Sequence, residues 1–157
     1  MQYEFLKNFP RRMKNVGLYA VIVQNSVQKL SWKQYGFTKF DEQINLLFIV
    51  LLYIMEQSLK EEKCTMDDIA TYIDTINVQY LRKDISYEQC HQLGDFIVNT
   101  VLSNEGRPMY FGGYNFEKNE YEEMHISYVA NKIVYVENEV RRTSYYLTDD
   151  GYNLLLS

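Results

Sequence analysis

From Leu46 to Met55 the chain passes through ten residues without one charge, Leu-Leu-Phe-Ile-Val-Leu-Leu-Tyr-Ile-Met. Any fold open to this sequence must cover that run. Around it, Ile44, Leu47, Phe48, Leu51, Leu52, Met55 and Leu59 recur at helical spacing, and the other faces are also largely apolar. The pattern predicts a helix over 41–60, enclosed by its own domain or by a partner. The run falls well short of the roughly 18 apolar residues that cross a bilayer, and Asp41, Glu42 and Glu56 flank it. No membrane partner is expected. At 157 residues the chain is long enough for one domain with a proper core around such a helix, and not obviously for two.

Beyond this helix, local signals mark the successive elements. Lys60-Glu61-Glu62-Lys63 reads as a polar turn, and Thr65 as the cap of a second helix, with Asp67 and Asp68 in the first turn where the helix dipole favours negative charge. Met66, Ile69, Ile73 and Ile76 are its buried stripe. Ser86-Tyr87-Glu88-Gln89 is a capping box opening a third helix to about Ser103, with Cys90, Leu93, Ile97 and Val101 facing inward. After Arg107-Pro108 the period becomes two: "MYFGGYNF", "MHISYV", "KIVYV" and "RRTSYYL" read as strands, Gly112-Gly113 as a bulge or sharp bend, and 117–120 and 137–139 as turns. The first forty residues are least legible. "NVGLYAVIVQNSVQKL" packs as either a strand or a short helix, and Trp32, Tyr35, Phe37 and Phe40 follow it. Residues 1–40 are read as an ordered extension packed on a domain spanning 41–157.

Charge is uneven. Residues 1–40 carry seven Lys/Arg against one Glu, residues 41–105 four basic against twelve acidic, and residues 106–157 five against eight. The basic lead-in is expected to meet an acidic surface, either nucleic acid or the protein's own middle section. Two Cys make no disulfide framework and no secretory signal is present, which gives a reduced, cytoplasmic protein as the default. No C-x-x-C, H-E-x-x-H or phosphate-loop pattern occurs, so neither metal nor cofactor is expected. Cys90 and His91 do not make a nucleophile–base pair, because adjacent helical residues point about 100° apart. No enzyme is expected.

The chain closes on Tyr145-Tyr146-Leu147-Thr148-Asp149-Asp150-Gly151-Tyr152, followed by Leu154, Leu155 and Leu156. This Y-x-L-T-x-x-G-x-x-L-L pattern, after three helices and a β region, resembles the winged-helix domain over about residues 42–157. The resemblance implies an α+β fold with a three-helix core, an enlarged β wing and a closing helix. The basic aromatic lead-in, apolar first helix and acidic third helix further resemble the N-terminal domain of bacterial kleisins from MukBEF-like and Wadjet (JetA-like) SMC complexes. In that family the domain dimerises, and a following helical region contacts the neck of the SMC ATPase. A homodimer and an SMC-like ATPase are therefore the implied partners, in DNA condensation or in plasmid or phage defence. The last helix shows no closing Gly or basic turn, and it is expected to continue past Ser157 in a longer chain.

A DNA-reading winged helix offers cations and amides from its third helix. Residues 86–103 contain no Lys or Arg; their charges are Glu88 and Asp95, and only Gln89, Gln92 and Asn99 suit base edges. DNA contact is thus expected to be weak or indirect, through Arg11, Arg12, Lys14, Arg107, Arg141 and Arg142, with Arg141 and Arg142 more readily paired to Glu137 and Glu139. The interface candidates are Leu47, Leu51, Ile54, Leu154 and Leu155. The leading expectation is a non-enzymatic docking or dimerisation module; the alternatives are a winged-helix transcription regulator and a small effector-sensing or dimeric protein.

Overall fold

The computed structural model describes residues 4–27 and 29–156. Among them are six α-helices and two separate antiparallel sheets of two strands each, a mixed α+β architecture. The helices are α1 (Phe9–Val27), α2 (Ser31–Gln34), α3 (Phe40–Leu59), α4 (Met66–Ile76), α5 (Tyr87–Asp95) and α6 (Asp149–Leu156). π-helical turns, Asn77–Leu81 and Phe96–Leu102, prolong α4 and α5. The strands are β1 (Met109–Asn115), β2 (Glu120–Ile126), β3 (Val129–Val136) and β4 (Val140–Leu147), paired as two hairpins.

Caps place the helices where the sequence signals stand. Thr65 Oγ1 accepts from the Asp68 N–H at 3.3 Å while the Asp68 carboxylate accepts from the Thr65 N–H at 2.9 Å. Ser86 and Gln89 exchange the same two bonds at 3.1 and 2.9 Å. Thr148 Oγ1 accepts from the Gly151 N–H at 3.1 Å and starts α6. Each reciprocal pair satisfies two helix-end donors that otherwise face water.

The N-terminal segment that packs as strand or helix on sequence alone is helical. α1 lies across the inner face of β1, and its Gly17 has no room for a Cβ, which would stand 2.6 Å from the Phe111 ring. Leu18, Val21, Ile22, Trp32, Tyr35 and Phe37 belong to the same core cluster as Leu47, Leu51 and Ile54. Side chains from α1, α2 and the segment that follows are therefore built into the core instead of lying over it. Trp32 is fully buried, edge-on to Phe96 at 5.1 Å, with its Nε1–H donating to the Ser26 carbonyl at 3.2 Å.

Gly112-Gly113 forms neither a bulge nor a bend. The β1–β2 register runs unbroken from Met109↔Ile126 to Asn115↔Glu120. Gly113 is instead a point of close approach, because a Cβ there would meet the Pro10 Cα at 2.8 Å. The expected turns do form: residues 116–119 close the first hairpin, and Glu137–Glu139, with Asn138 at φ 59° and Glu139 at φ 56°, close the second.

β4 joins the second hairpin to the helices. Tyr145 N–H donates to the Cys64 carbonyl at 2.8 Å, Cys64 N–H donates to Ser144 Oγ at 2.8 Å, and Thr65 bridges antiparallel to Ser144. Cys64 and Thr65, the last two residues before α4, thus add a third, one-bridge strand beside β4. The Leu147 N–H reaches Ser58 Oγ of α3 at 3.0 Å.

α3 is long and apolar enough, by length and composition alone, to cross a membrane. Here it packs against α1, α4, α6 and β4, and Leu46, Leu47, Val50, Leu51 and Ile54 are all at most 1% exposed.

Candidate interaction surfaces

All five proposed interface leucines and isoleucines turn inward. Leu47, Leu51 and Ile54 are 0% exposed and Leu154 is 1% exposed, while Leu155 packs partly buried against the core. They are the domain's own core, because α1 and α6 supply the cover that the sequence alone leaves to a partner. The large apolar side chains that α3 exposes are Phe40, Leu52 and Leu59. At the seam of α1 and α6, Tyr19 OH donates to the Leu154 carbonyl at 2.9 Å, and Val16, Tyr19 and Leu156 are exposed.

The six cations do not converge. Lys14 is held by the Asp150 carboxylate at 3.1 Å and fixes α1 to the first turn of α6, so the basic lead-in meets the chain's own acid at this point. Lys14 and Arg11 line a cleft at the tip of the first hairpin, with Asn115, Phe116 and Glu117. Arg107, 3.4 Å from Glu105, borders another cleft with Met109, His125 and Asn131. Arg142 borders a third with Asp67 and His91. Arg12 is exposed on α1. The pairing of Arg141 and Arg142 with Glu137 and Glu139 is absent among the described residues; Arg142 Nη1 donates to the Arg141 carbonyl at 2.9 Å. Strand alternation sends these two side chains to opposite faces.

The outer side of α5 and its extension is acidic, and each of the three candidate amides makes one internal hydrogen bond. Tyr87, Glu88, Gln92 and Asp95 are exposed. Gln89 Oε1 serves the Ser86 cap, Gln92 Oε1 accepts from Tyr35 OH at 3.4 Å, and the Asn99 amide donates to the Asp95 carboxylate at 2.7 Å. His91 Nε2 lies 3.1 Å from the Asp67 carboxylate. No Lys or Arg stands on this helix.

Both thiols are free and buried. Burial pushes Cys64 up to about 12 and Cys90 up to about 11, with Asp68 and Asp74 respectively adding to the shift.

At the start of α4, burial alone would raise the Asp68 carboxyl. The Lys63 ammonium at 2.8 Å and the Thr65 N–H and hydroxyl outweigh burial and hold it below the usual carboxylate range. A lowered folded value means the contribution is complete above the unfolded pKa of about 3.9 and lost as pH falls through the folded one. Asp68→Asn is expected to cost about 1 kcal/mol at pH 7, the usual worth of a helix cap. In urea titrations the difference from the parent chain should vanish toward pH 2. A deficit that persists there would assign the loss to packing, not charge.

Comparison of the chain with protein-family models, with curated proteins and with solved structures finds no match.

Proposed function

We propose that the chain is a winged-helix docking module that does not read DNA. Support for the winged helix comes from connectivity: α3, the bridged Cys64-Thr65 segment, α4, α5 with its π-helical extension, and then β3 and β4, with the bridge falling on β4. On this reading β3–β4 is the wing, and β1–β2 is an added hairpin between third helix and wing. The observation that carries the non-reading function is the outer face of α5 and its extension, which has no Lys or Arg and exposes Glu88 and Asp95, while each of the three candidate amides makes one internal hydrogen bond. Phosphate contact supplies most of the affinity of a DNA-binding domain, and carboxylates oppose it.

The sequence likeness to bacterial kleisins makes an SMC-type ATPase the partner to test, and a second copy of the chain the companion. Such a dimer would use exposed apolar residues, with Val16, Tyr19 and Leu156 at the α1–α6 seam best suited. Sedimentation at high micromolar concentration is expected to show a dimer that Tyr19→Asp dissociates. A clean monomer would remove self-association from the proposal.

Duplex DNA is expected to bind no more tightly than the non-specific range of about 10⁻⁴–10⁻⁶ M at physiological salt. Sub-micromolar binding abolished by Gln89→Ala, Gln92→Ala and Asn99→Ala would make α5 a reading helix after all and overturn the proposal.

A further inference from the structure

The outer face of the first hairpin carries three cross-strand pairs in succession: Tyr110 with His125, Gly112 with Glu123, and Tyr114 with Tyr121. Their alternates, Phe111 and Gly113, face α1, so this row points away from the body of the protein. The outer pairs are aromatic contacts, with ring centroids 5.5 Å apart for Tyr110 and His125 and 5.1 Å for Tyr114 and Tyr121. The middle pair is a bare backbone opposite an exposed carboxylate, and Glu123 makes no hydrogen bond or ion pair among the described residues.

Gly112 has no internal reason to be glycine. Its φ is not positive, and an added Cβ would make one ordinary contact, 3.5 Å from Tyr121 Cδ1. Its neighbour Gly113 is different, being forced by Pro10. A glycine inside a strand costs stability, and one without a packing reason marks a place where something from outside comes close. The Tyr121 ring leans over the gap while the residue stays 73% exposed, and Tyr110, on the far side of Gly112, is 53% exposed. The row is two edge-to-face aromatic pairs, with interplanar angles of 63° and 82°, flanking a missing side chain and an exposed carboxylate.

We propose that this row is a docking slot for an arginine side chain on an extended segment of a protein partner. A guanidinium is planar, stacks on a tyrosine ring and bonds a carboxylate through two parallel N–H groups, which matches Tyr121 and Glu123 together. Charge selects the class of partner. From Asn115 to Ile126 the hairpin carries Glu117, Glu120, Glu122 and Glu123 against Lys118 alone, so it attracts a cationic peptide and repels nucleic acid despite its exposed aromatics. The slot does not depend on the winged-helix assignment or on dimerisation.

The test is an NMR titration of the whole chain with a Gly/Ser peptide bearing one arginine, beside the same peptide bearing citrulline, which keeps the shape and lacks the charge. Shifts are expected to centre on Gly112, Tyr121 and Glu123. Affinity should fall about tenfold in Glu123→Gln and in Tyr121→Ala, the scale of a lost charged hydrogen bond or cation–π contact. Gly112→Val should weaken binding similarly by filling the gap, and Glu117→Gln should leave it within twofold. All four positions are solvent-exposed, and unchanged amide spectra outside the hairpin will confirm that each variant is folded. No shift on this row, equal weakening by Glu117→Gln and Glu123→Gln, equal affinity for the citrulline peptide, or tighter binding of a thymidine oligonucleotide would each overturn the slot.

Discussion

A fragment beginning at Asp41 is expected not to fold. Removal of the first forty residues strips Leu18, Val21, Ile22, Trp32, Tyr35 and Phe37 from the common core. Burial of one large apolar side chain contributes about 1.5–3 kcal/mol, so six of them, about 9–18 kcal/mol together, match the roughly 5–15 kcal/mol that separates most folded domains from their unfolded chains. The polar losses fall on the same side. Tyr128, fully buried, donates its hydroxyl to the Leu18 carbonyl at 2.6 Å, and the fragment leaves that donor unmatched. Lys14 no longer neutralises Asp150, and Met109 and Phe111 of β1 lose the helix that covers them. The single change Trp32→Ala isolates part of the effect and should cost about 3–5 kcal/mol in chemical denaturation. Cooperative unfolding of the 41–157 fragment, seen by circular dichroism, would make the first forty residues an appendage and this account of the core wrong.

Legibility in the sequence divides by the distance over which each signal acts. α4 and α5 announce themselves through Thr65–Asp68 and Ser86–Gln89, pairs three residues apart whose bonds form in any context that lets the helix start. α3 shows in its spacing alone. α1 does not, because Val16, Val21, Ile22 and Val23 have strand-type propensities and Gly17 weakens a helix. Packing of Gly17 on Phe111, ninety-four residues away, settles its form. The one local clue is Pro10, second residue of α1, where proline is well tolerated. The misplaced interface has the same origin. Without α1 in view, α3 lacks a cover, and Leu47, Leu51 and Ile54 fall to a partner.

The candidate surface obeys the same rule. The absence of cations from α5 can be read directly, and the Asn99–Asp95 bond spans one helical turn. The engagement of Gln92 by Tyr35 joins residues fifty-seven apart and leaves no trace in either neighbourhood. Gly112 and Gly113 are adjacent and identical in sequence, yet one is filled by Pro10 and the other is open. Only the fold separates a packing glycine from an open one.

Gly151, the glycine of the closing Y-x-L-T-x-x-G pattern, provides the sharpest single-residue test. On helix propensity alone Gly151→Ala should stabilise α6 by about 1 kcal/mol. The surroundings reverse that sign. A Cβ at this position would stand 2.5 Å from the Tyr128 carbonyl oxygen and 2.6 Å from both Cγ and Cδ1 of Leu147. The carbonyl cannot retreat freely, because it accepts the Thr148 N–H at 3.1 Å, and Leu147 is itself buried. α6 must therefore lift, and with it go the Thr148 cap, the Ser127 N–H bond to Asp150 at 3.2 Å, the Lys14–Asp150 pair and the burial of Leu154. The expected net loss is about 3 kcal/mol, the upper range for overpacking, or roughly 6–12 °C in Tm for a chain of this length. Gly112→Ala, with room for its Cβ, should be neutral or slightly stabilising in the same melts. If Gly151→Ala instead melts higher than the parent chain, α6 does not rest on the β3–β4 hairpin, and the closing motif marks only a helix start.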